Sequence, residues 1–330
     1  MSKASDDRAM TRRDFLSRAT KAGAAIAATG VVGYWLYDRT GPKAQTVTDL
    51  VSLPDFSLPA VGRKMSIITG SDRVKTIDRA FAALGGVEQF IRKGDRVLLK
   101  VNAAFASAPA LGATVHPQLV AEVIRLCVQA GAASVTVTDN PINDPPSCFR
   151  LTGIAEAVQK AGARLVLPQE SFFQPTTVPG GALIKNWPLL YEPFRGINKL
   201  IGIAPVKDHH RSGASMSIKN WYGLMGGRRN IFHQDIHNII KELAMMVSPT
   251  LVILDGTTTM MANGPTGGSL DDLKQTNTMI VSTDQVAADS FGATLLGKTA
   301  ASLPFIRKAA EAGRGTMDYE SLNPARDHVE

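Results

Sequence analysis

The stretch RVLLKVNAAFASAPALGATVHPQLVAEVIRLCVQAGAASVTVTD, residues 96–139, decides the fold. It opens on RVLLKVN (96–102), a near-continuous apolar run of the kind a strand shows when both of its faces are covered. HPQLVAEVIRLCVQAG (116–131) follows, with Leu119, Val120, Val123, Ile124, Cys127 and Val128 on one helical face. Pro117 suits the first turn of that helix and Gly131 its C-terminal stop. SVTVTD (134–139) is a second strand. A strand, a helix of this length and another strand imply a right-handed crossover and a parallel sheet.

The pattern extends in both directions. SIITG (66–70) reads as a strand and RVKTIDRAFAAL (73–84) as a helix ended by Gly85 and Gly86. TGIAEAVQKAG (152–162) reads as a helix, RLVLP (164–168) as a strand and KLIGIAP (199–205) as another. Then come helix FHQDIHNIIKELAMM (232–246), strands TLVILDG (250–256) and TMIVSTD (278–284), and helices QVAADSFGATLLG (285–297) and SLPFIRKAAEAG (302–313). Between 170 and 197, prolines and glycines interrupt the pattern and predict short antiparallel strands or an irregular insertion. The fold class is α/β, a mostly parallel sheet with helices on both faces. One domain spans 61–315, with a linker over 45–60 and a loose tail over 316–330.

The first 44 residues are a different kind of sequence. They hold eight Lys/Arg against four Asp/Glu, so +4 of the formal +7 sits there and +3 on the rest. That leaves little basic surface for a nucleic acid on the folded part. TRRDFLS (11–17) carries paired arginines before Phe15 and Leu16, and AGAAIAATGVVGYWLY follows without charge. This resembles a twin-arginine signal, which implies the twin-arginine export machinery as a partner and a periplasmic destination. The apolar run is shorter than the usual spanning length, and Pro42-Lys43-Ala44 is a partial cleavage site, so an uncleaved anchor stands as the alternative. Cys127 and Cys148 are the two cysteines, too few for a four-cysteine iron–sulfur cluster of the chain's own. Cys127 reads as a small buried hydrophobe rather than half of a disulfide.

Ligands of open parallel sheets bind outside the carboxyl ends of the strands. Five strands here end in chemistry-bearing groups: Lys100 and Asn102, Asp139, the Lys207-Asp208-His209-His210 run, Asp255, and Asp284. In a parallel sheet they converge. Lys207 and Lys219 with His209 are the expected catalytic set, with the imidazole handling a proton near neutral pH. Lys100, Asn102, Asn220, Gly264 and Gly267 are the expected ligand-binding set, suited to a small carboxylate or phosphate. Asp139, Asp255, Asp284 and His116 offer oxygen and nitrogen ligands for a divalent metal. His233 and His237 stand four apart, but Gln234 follows where a metalloprotease needs Glu, and a polar helix face explains the pair. NGPTGGS (263–269) lacks the Lys-Ser/Thr of a P-loop.

VLLKVN, ATVHPQLVAEVIRLCVQAGA, VTVTDN, IGIAPVKDHH, SIKNWYGLMGG, ILDGTTTM, NGPTGG and STDQVAADSFGATLLG together resemble the bacterial and archaeal domain-of-unknown-function family 362. The resemblance spans about 95–297. It matches that family's elements at Lys207, His209, Lys219, Asn220, Gly223, Asp255, Gly256, Gly264, Pro265, Asp284 and Asp289. Many members are iron–sulfur proteins, which implies an iron–sulfur partner for a chain without its own cluster. A more distant similarity to the nickel-cofactor lactate racemase family carries no full motif. The residues and the resemblance together leave two readings: an exported enzyme or enzyme-like protein acting on a small anion, and a non-catalytic periplasmic binding or assembly partner of an iron–sulfur redox complex.

Overall fold

The computed structural model describes residues 12–36 and 50–330. The chain divides into two units, Met1–Thr48 and Asp49–Glu330. In the first, α1 (Arg12–Leu36) begins at the paired arginines. No described helix is long and apolar enough to cross a membrane. The partial cleavage site at Pro42-Lys43-Ala44 lies outside the described residues.

In chain order the second unit is built from β1 (Met65–Thr69), α2 (Arg73–Ala83), β2 (Arg96–Lys100), α3 (Pro117–Gln129), β3 (Ser134–Thr138), α4 (Pro145–Leu151), α5 (Ile154–Lys160) and β4 (Arg164–Val166). It continues with β5 (Phe173–Thr176), β6 (Trp187–Leu190), β7 (Lys199–Lys207), α6 (Ser217–Asn220), α7 (Ile236–Met246), β8 (Leu251–Met260), β9 (Leu273–Ser282), α8 (Gln285–Leu295), α9 (Pro304–Glu311) and β10 (Ala325–His328). The main sheet has the order β10-β1-β9-β8-β7-β2-β3-β4. Every neighbouring pair is parallel except the two that β9 makes, with β1 and with β8. Alternation sorts the strand side chains onto two faces. Leu98, Leu200, Ala204, Val206, Val252, Leu254 and Ile280 pack beneath α6 to α9. Val97, Leu99, Ile201, Ile203, Ile253, Met279 and Val281 pack beneath α2, α3 and α5. The α/β architecture with helices on both faces is therefore as the periodicity predicts.

Four expectations need revision or sharpening. The punctuated stretch 170–197 is a two-stranded antiparallel ribbon, β5 with β6. The expected linker is already structured from residue 51: Val51 N–H donates to Pro175 O at 2.9 Å, and Phe56 is buried. The tail expected to be loose supplies β10, which pairs with β1 in parallel register from Ser66↔Ala325. Last, β9 runs against its neighbours. The chain between β8 and β9 forms only a short 3-10 turn, and without a crossover helix the two strands close as an antiparallel pair. Both cysteines are buried and free; burial pushes the Cys127 thiol up to about 12 and that of Cys148 to about 11.

Candidate functional site

Three adjacent parallel strands, β7, β2 and β3, deliver their carboxyl ends to one cavity of about 400 Å³. Lys100 ends β2, Asp139 follows β3 and Lys207 ends β7. The loop after β7 adds His209 and His210, α6 adds Lys219 and Asn220, and the chain beyond it adds Tyr222, Gly223, Arg229 and His233. The loop after β8 closes the rim with Asn263, Gly264, Pro265 and Thr266.

The floor is a buried ion pair. Lys100 Nζ lies 2.7 Å from Asp139 Oδ1 and donates to Asn220 Oδ1 at 2.7 Å and Val101 O at 2.9 Å. Asp139 also accepts from Ala103 N at 2.7 Å and Asn140 N at 2.9 Å. Every proton of the Lys100 ammonium is thus directed at an oxygen of the protein. Lys100 contributes charge to the cavity rather than a contact, which revises its expected role. Asn220 is a strut: its Nδ2 donates to Lys100 O and Ile203 O, both at 3.2 Å, tying β2 to β7. Gly223 sits against this pair, and a Cβ there would fall 2.0 Å from Asp139 Oδ1.

Above the floor the cavity is cationic. Lys207 Nζ donates to Ala113 O and, at 3.4 Å, to Asn102 Oδ1, which leaves a proton free. Lys219 Nζ lies 5.3 Å from the centre of the Tyr222 ring and has no hydrogen-bond or ion-pair partner among the described residues. The Arg229 guanidinium donates to Asn140 O at 2.7 Å and to Pro141 O and Met225 O at 2.9 Å. Among the described residues Asp139 is the one carboxylate lining this cavity, set against four cationic side chains. Burial, reinforced for Lys207 by Lys219 and for Lys219 by Arg229, pushes each of these two ammonium groups down to about 7. Burial likewise depresses Lys100, opposed by Asp139.

The histidines divide by tautomer. His209 Nδ1 accepts from Arg211 N at 3.2 Å and Ser212 N at 3.3 Å, so the ring proton sits on Nε2. Burial and Lys219 push its pKa down to about 2. A neutral ring held this way is a hydrogen-bond donor to a ligand oxygen, not a base. His210 Nδ1 faces Gly264 O at 3.2 Å; a carbonyl only accepts, so Nδ1 carries a proton. Tyr222 Oη gives its own proton to Arg229 O and so accepts from His233 Nδ1 at 3.1 Å, which leaves Nε2 of the neutral His233 ring bare. Burial and then Lys219 depress His233. The three rings lie close, with His209 5.0 Å from His210 and 6.0 Å from His233, centre to centre.

The remaining expected residues lie elsewhere. Asp255 is turned toward α2, where it meets Arg73 Nε at 2.7 Å in a separate cavity with His116 and Thr114. Asp284 follows the reversed strand β9 and so lies at the opposite edge of the sheet. There it caps α8, accepting from Val286 N at 2.9 Å and Ala287 N at 3.0 Å, and also from Thr316 N at 3.0 Å. Asp139, Asp255, Asp284 and His116 therefore do not converge as one ligand set. Among the described residues no group of three or more His, Cys, Asp or Glu is placed to hold a metal. Gly264 lines the cavity and offers its carbonyl, which accepts from His210 N at 3.2 Å. Gly267 lies outside it as a left-handed turn residue whose N–H is spent on Asn263 O at 3.0 Å.

Sequence reasoning missed Arg229 and misjudged His233. The helix expected from 232 begins at Ile236; residues 229–235 form a 3-10 helix, so His233 and His237 do not share a face. His233 enters the cavity, while His237 stacks on Phe305 at 6.4 Å. Asp289, fully buried on α8, holds α6 in place: it accepts from Ser217 N at 2.8 Å and Ile218 N at 3.2 Å, and burial raises its pKa to about 7.

Comparison with known proteins places this arrangement. The chain is similar to the Thylakoid-associated protein sll1697 of Synechocystis sp. (strain ATCC 27184 / PCC 6803 / Kazusa), 25% identical over 263 residues, covering 73% of this chain and 75% of that protein. Among solved structures it is similar to the lactate racemase apoprotein from Thermoanaerobacterium thermosaccharolyticum, with TM-score 0.37 and 11% identity, covering 74% of this chain and 61% of that one. A Thermotoga maritima protein gives TM-score 0.36 and 9% identity, covering 72% of this chain and 58% of that one. The chain spans about three fifths of the length of these two solved structures. The model of the family described as "Domain of unknown function (DUF362)" matches residues 97–294, from the first residues of β2 to the end of α8. That segment is more than half of the sequence and carries every side chain named in the cavity, and the chain belongs to the DUF362 family.

Proposed function

We propose that this DUF362 protein is an exported enzyme that binds a small, multiply charged anion in the cavity at the ends of β7, β2 and β3 and moves a proton on it. One observation carries the reading: four cationic side chains surround about 400 Å³ of space with a single carboxylate among the described residues, and that carboxylate is already paired with Lys100. Unbalanced positive charge in a buried site is costly until an anion enters. Lys207 keeps a proton for a carboxylate or phosphate oxygen, with Lys100 and Arg229 supplying field. His209 Nε2–H donates to a second ligand oxygen. The bare Nε2 of His233 is the proton acceptor, a division of roles that the tautomers of His209 and His233 support. Export rests on the paired arginines at the start of α1 and the uncharged run after them. The thylakoid association in the name of the Synechocystis relative is consistent with a place at a membrane surface.

Thermal denaturation across a panel of small carboxylates and phosphate esters tests the reading. A ligand at one hundred times its dissociation constant stabilises by about 2.7 kcal/mol. At least one polyanion is expected to raise the melting temperature, the effect weakening with added salt and in Lys207→Met. A flat response across the panel refutes it.

A further inference from the structure

The anion-binding role does not account for Lys219. Lys100 is committed to Asp139, Asn220 and Val101 O, and Arg229 to four backbone carbonyls. Lys207 is held by Ala113 O and Asn102 Oδ1. Lys219 alone of the four has no acceptor among the described residues, although it is buried like Lys100 and Lys207. It sits over the face of Tyr222, and no carboxylate acts on it; Arg229 and Lys100 are the charges that do. Its backbone is fixed as firmly as any in the site, because α6 hangs from Asp289 and Trp221 Nε1 donates to Gln285 Oε1 at 2.8 Å. A buried amine with no anion to hold its proton, ringed by other cations, sheds that proton and becomes a nucleophile. Its value of about 7 agrees with this geometry.

We propose that Lys219 captures the carbonyl carbon of a small oxo carboxylate as an imine; this rests on the anion-binding reading of the same cavity. The neutral Nζ forms a bond to the carbonyl carbon as the C=O π pair moves onto oxygen, where His209 Nε2–H donates to the developing charge. The first proton lost from Nζ passes, by way of the bare Nε2 of His233, which packs against the same Tyr222 ring as Lys219, to the alkoxide and makes the carbinolamine hydroxyl. A second proton, taken up by that imidazole from solvent, goes to the hydroxyl, which leaves as water while the nitrogen lone pair closes the C=N bond, and the iminium then releases its N–H proton to give the imine. Amine plus carbonyl gives imine plus one water, with no oxidant or reductant. The substrate's carboxylate faces Lys207, whose free proton remains for it.

The full chain is incubated separately with pyruvate, glyoxylate and 2-oxoglutarate, reduced with sodium borohydride and digested for peptide mass mapping. Melting curves with oxalate, which cannot form an imine, are run alongside. The expected result is a single adduct on Lys219, equal in mass to the oxo acid less one oxygen atom, and its loss in Lys219→Met and Lys219→Arg. Adducts scattered over surface lysines overturn the inference, as does a clean map. Stabilisation by oxalate without an adduct refutes imine formation and leaves the anion reading standing. No stabilisation and no adduct refutes both. Mapping of the unmutated chain decides the question even where a variant fails to fold.

Discussion

Replacing Gly223 by alanine places a methyl carbon 2.0 Å from Asp139 Oδ1, 2.5 Å from Lys100 Nζ and 3.0 Å from Lys100 Cε. None of these atoms has room to retreat. Asp139 is held by Ala103 N and Asn140 N, Lys100 by Asn220 and Val101 O, and Gly223 itself by the bond from Asn140 N to its carbonyl at 3.0 Å. The methyl group must therefore part the ion pair. Both side chains are almost fully buried, at 1% and 2% exposure, so solvent does not compensate. Breaking such a pair costs about 3–5 kcal/mol. At about 2–4 °C per kcal/mol for a large domain, the melting temperature falls by roughly 6–20 °C. Circular dichroism during heating measures this. The control is a double-mutant cycle with Asp139→Ala: once the carboxylate is gone, the methyl has space, and Gly223→Ala adds less than about 1 kcal/mol, well short of additivity. A small single-mutant effect, or two penalties that simply add, refutes the claim that this glycine exists to admit the Lys100–Asp139 pair.

Lys207 and Lys219 fall to about 7 in the folded state from 10.5, so between those values the unfolded chain binds more protons and stability rises with pH. Denaturant midpoints should climb from about pH 7.5 to 8.5, a window above the carboxyl titration of Asp289 and below the thiols. Lys219→Met should flatten that climb, and an unchanged slope counts against a depressed Lys219. Asp284→Ala removes the α8 cap and should cost about 1–2 kcal/mol in a melt, with anion stabilisation intact because the residue lies at the far edge of the sheet. Loss of the ligand response in that variant would mean the two edges are coupled. Arg12→Lys with Arg13→Lys should hold a leader–reporter fusion in the cytoplasm, and fractionation showing normal export would remove the twin-arginine assignment.

The β-α-β stretch 96–139 was legible because its signals agree: a doubly buried strand, a helix face whose expected apolar residues are buried except Val128, a proline at its start and a glycine at its end. The same local agreement makes Lys100, Asp139, Lys207 and His209 readable as strand-end residues. The chain beyond β7 is harder to read. Arg229 and His233 reach the cavity from a 3-10 segment with no apolar period, and β10 finds its place by pairing with β1, far away in sequence. Both depend on contacts that no short window contains.

The expectation that five strand ends converge failed at two strands, and at β9 for a reason the sequence did hold. Helices of at least a dozen residues' reach are needed to bring a chain back for a parallel neighbour. Residues 257–277 contain Gly264, Pro265, Gly267 and Gly268 and no helical period, so a crossover was never available there. With β9 reversed, Asp284 moves to the opposite edge, and Asp255 is paired with Arg73 in a separate cavity. The acids expected to surround the lysines are thereby dispersed, and only Asp139 remains among them. The reversal of β9 and the pairing of Asp255 with Arg73 thus turn a mixed-charge site suited to a cation into a positive one suited to an anion. The depressed lysines have the same cause, since among the described residues no second carboxylate is near enough to hold their protons.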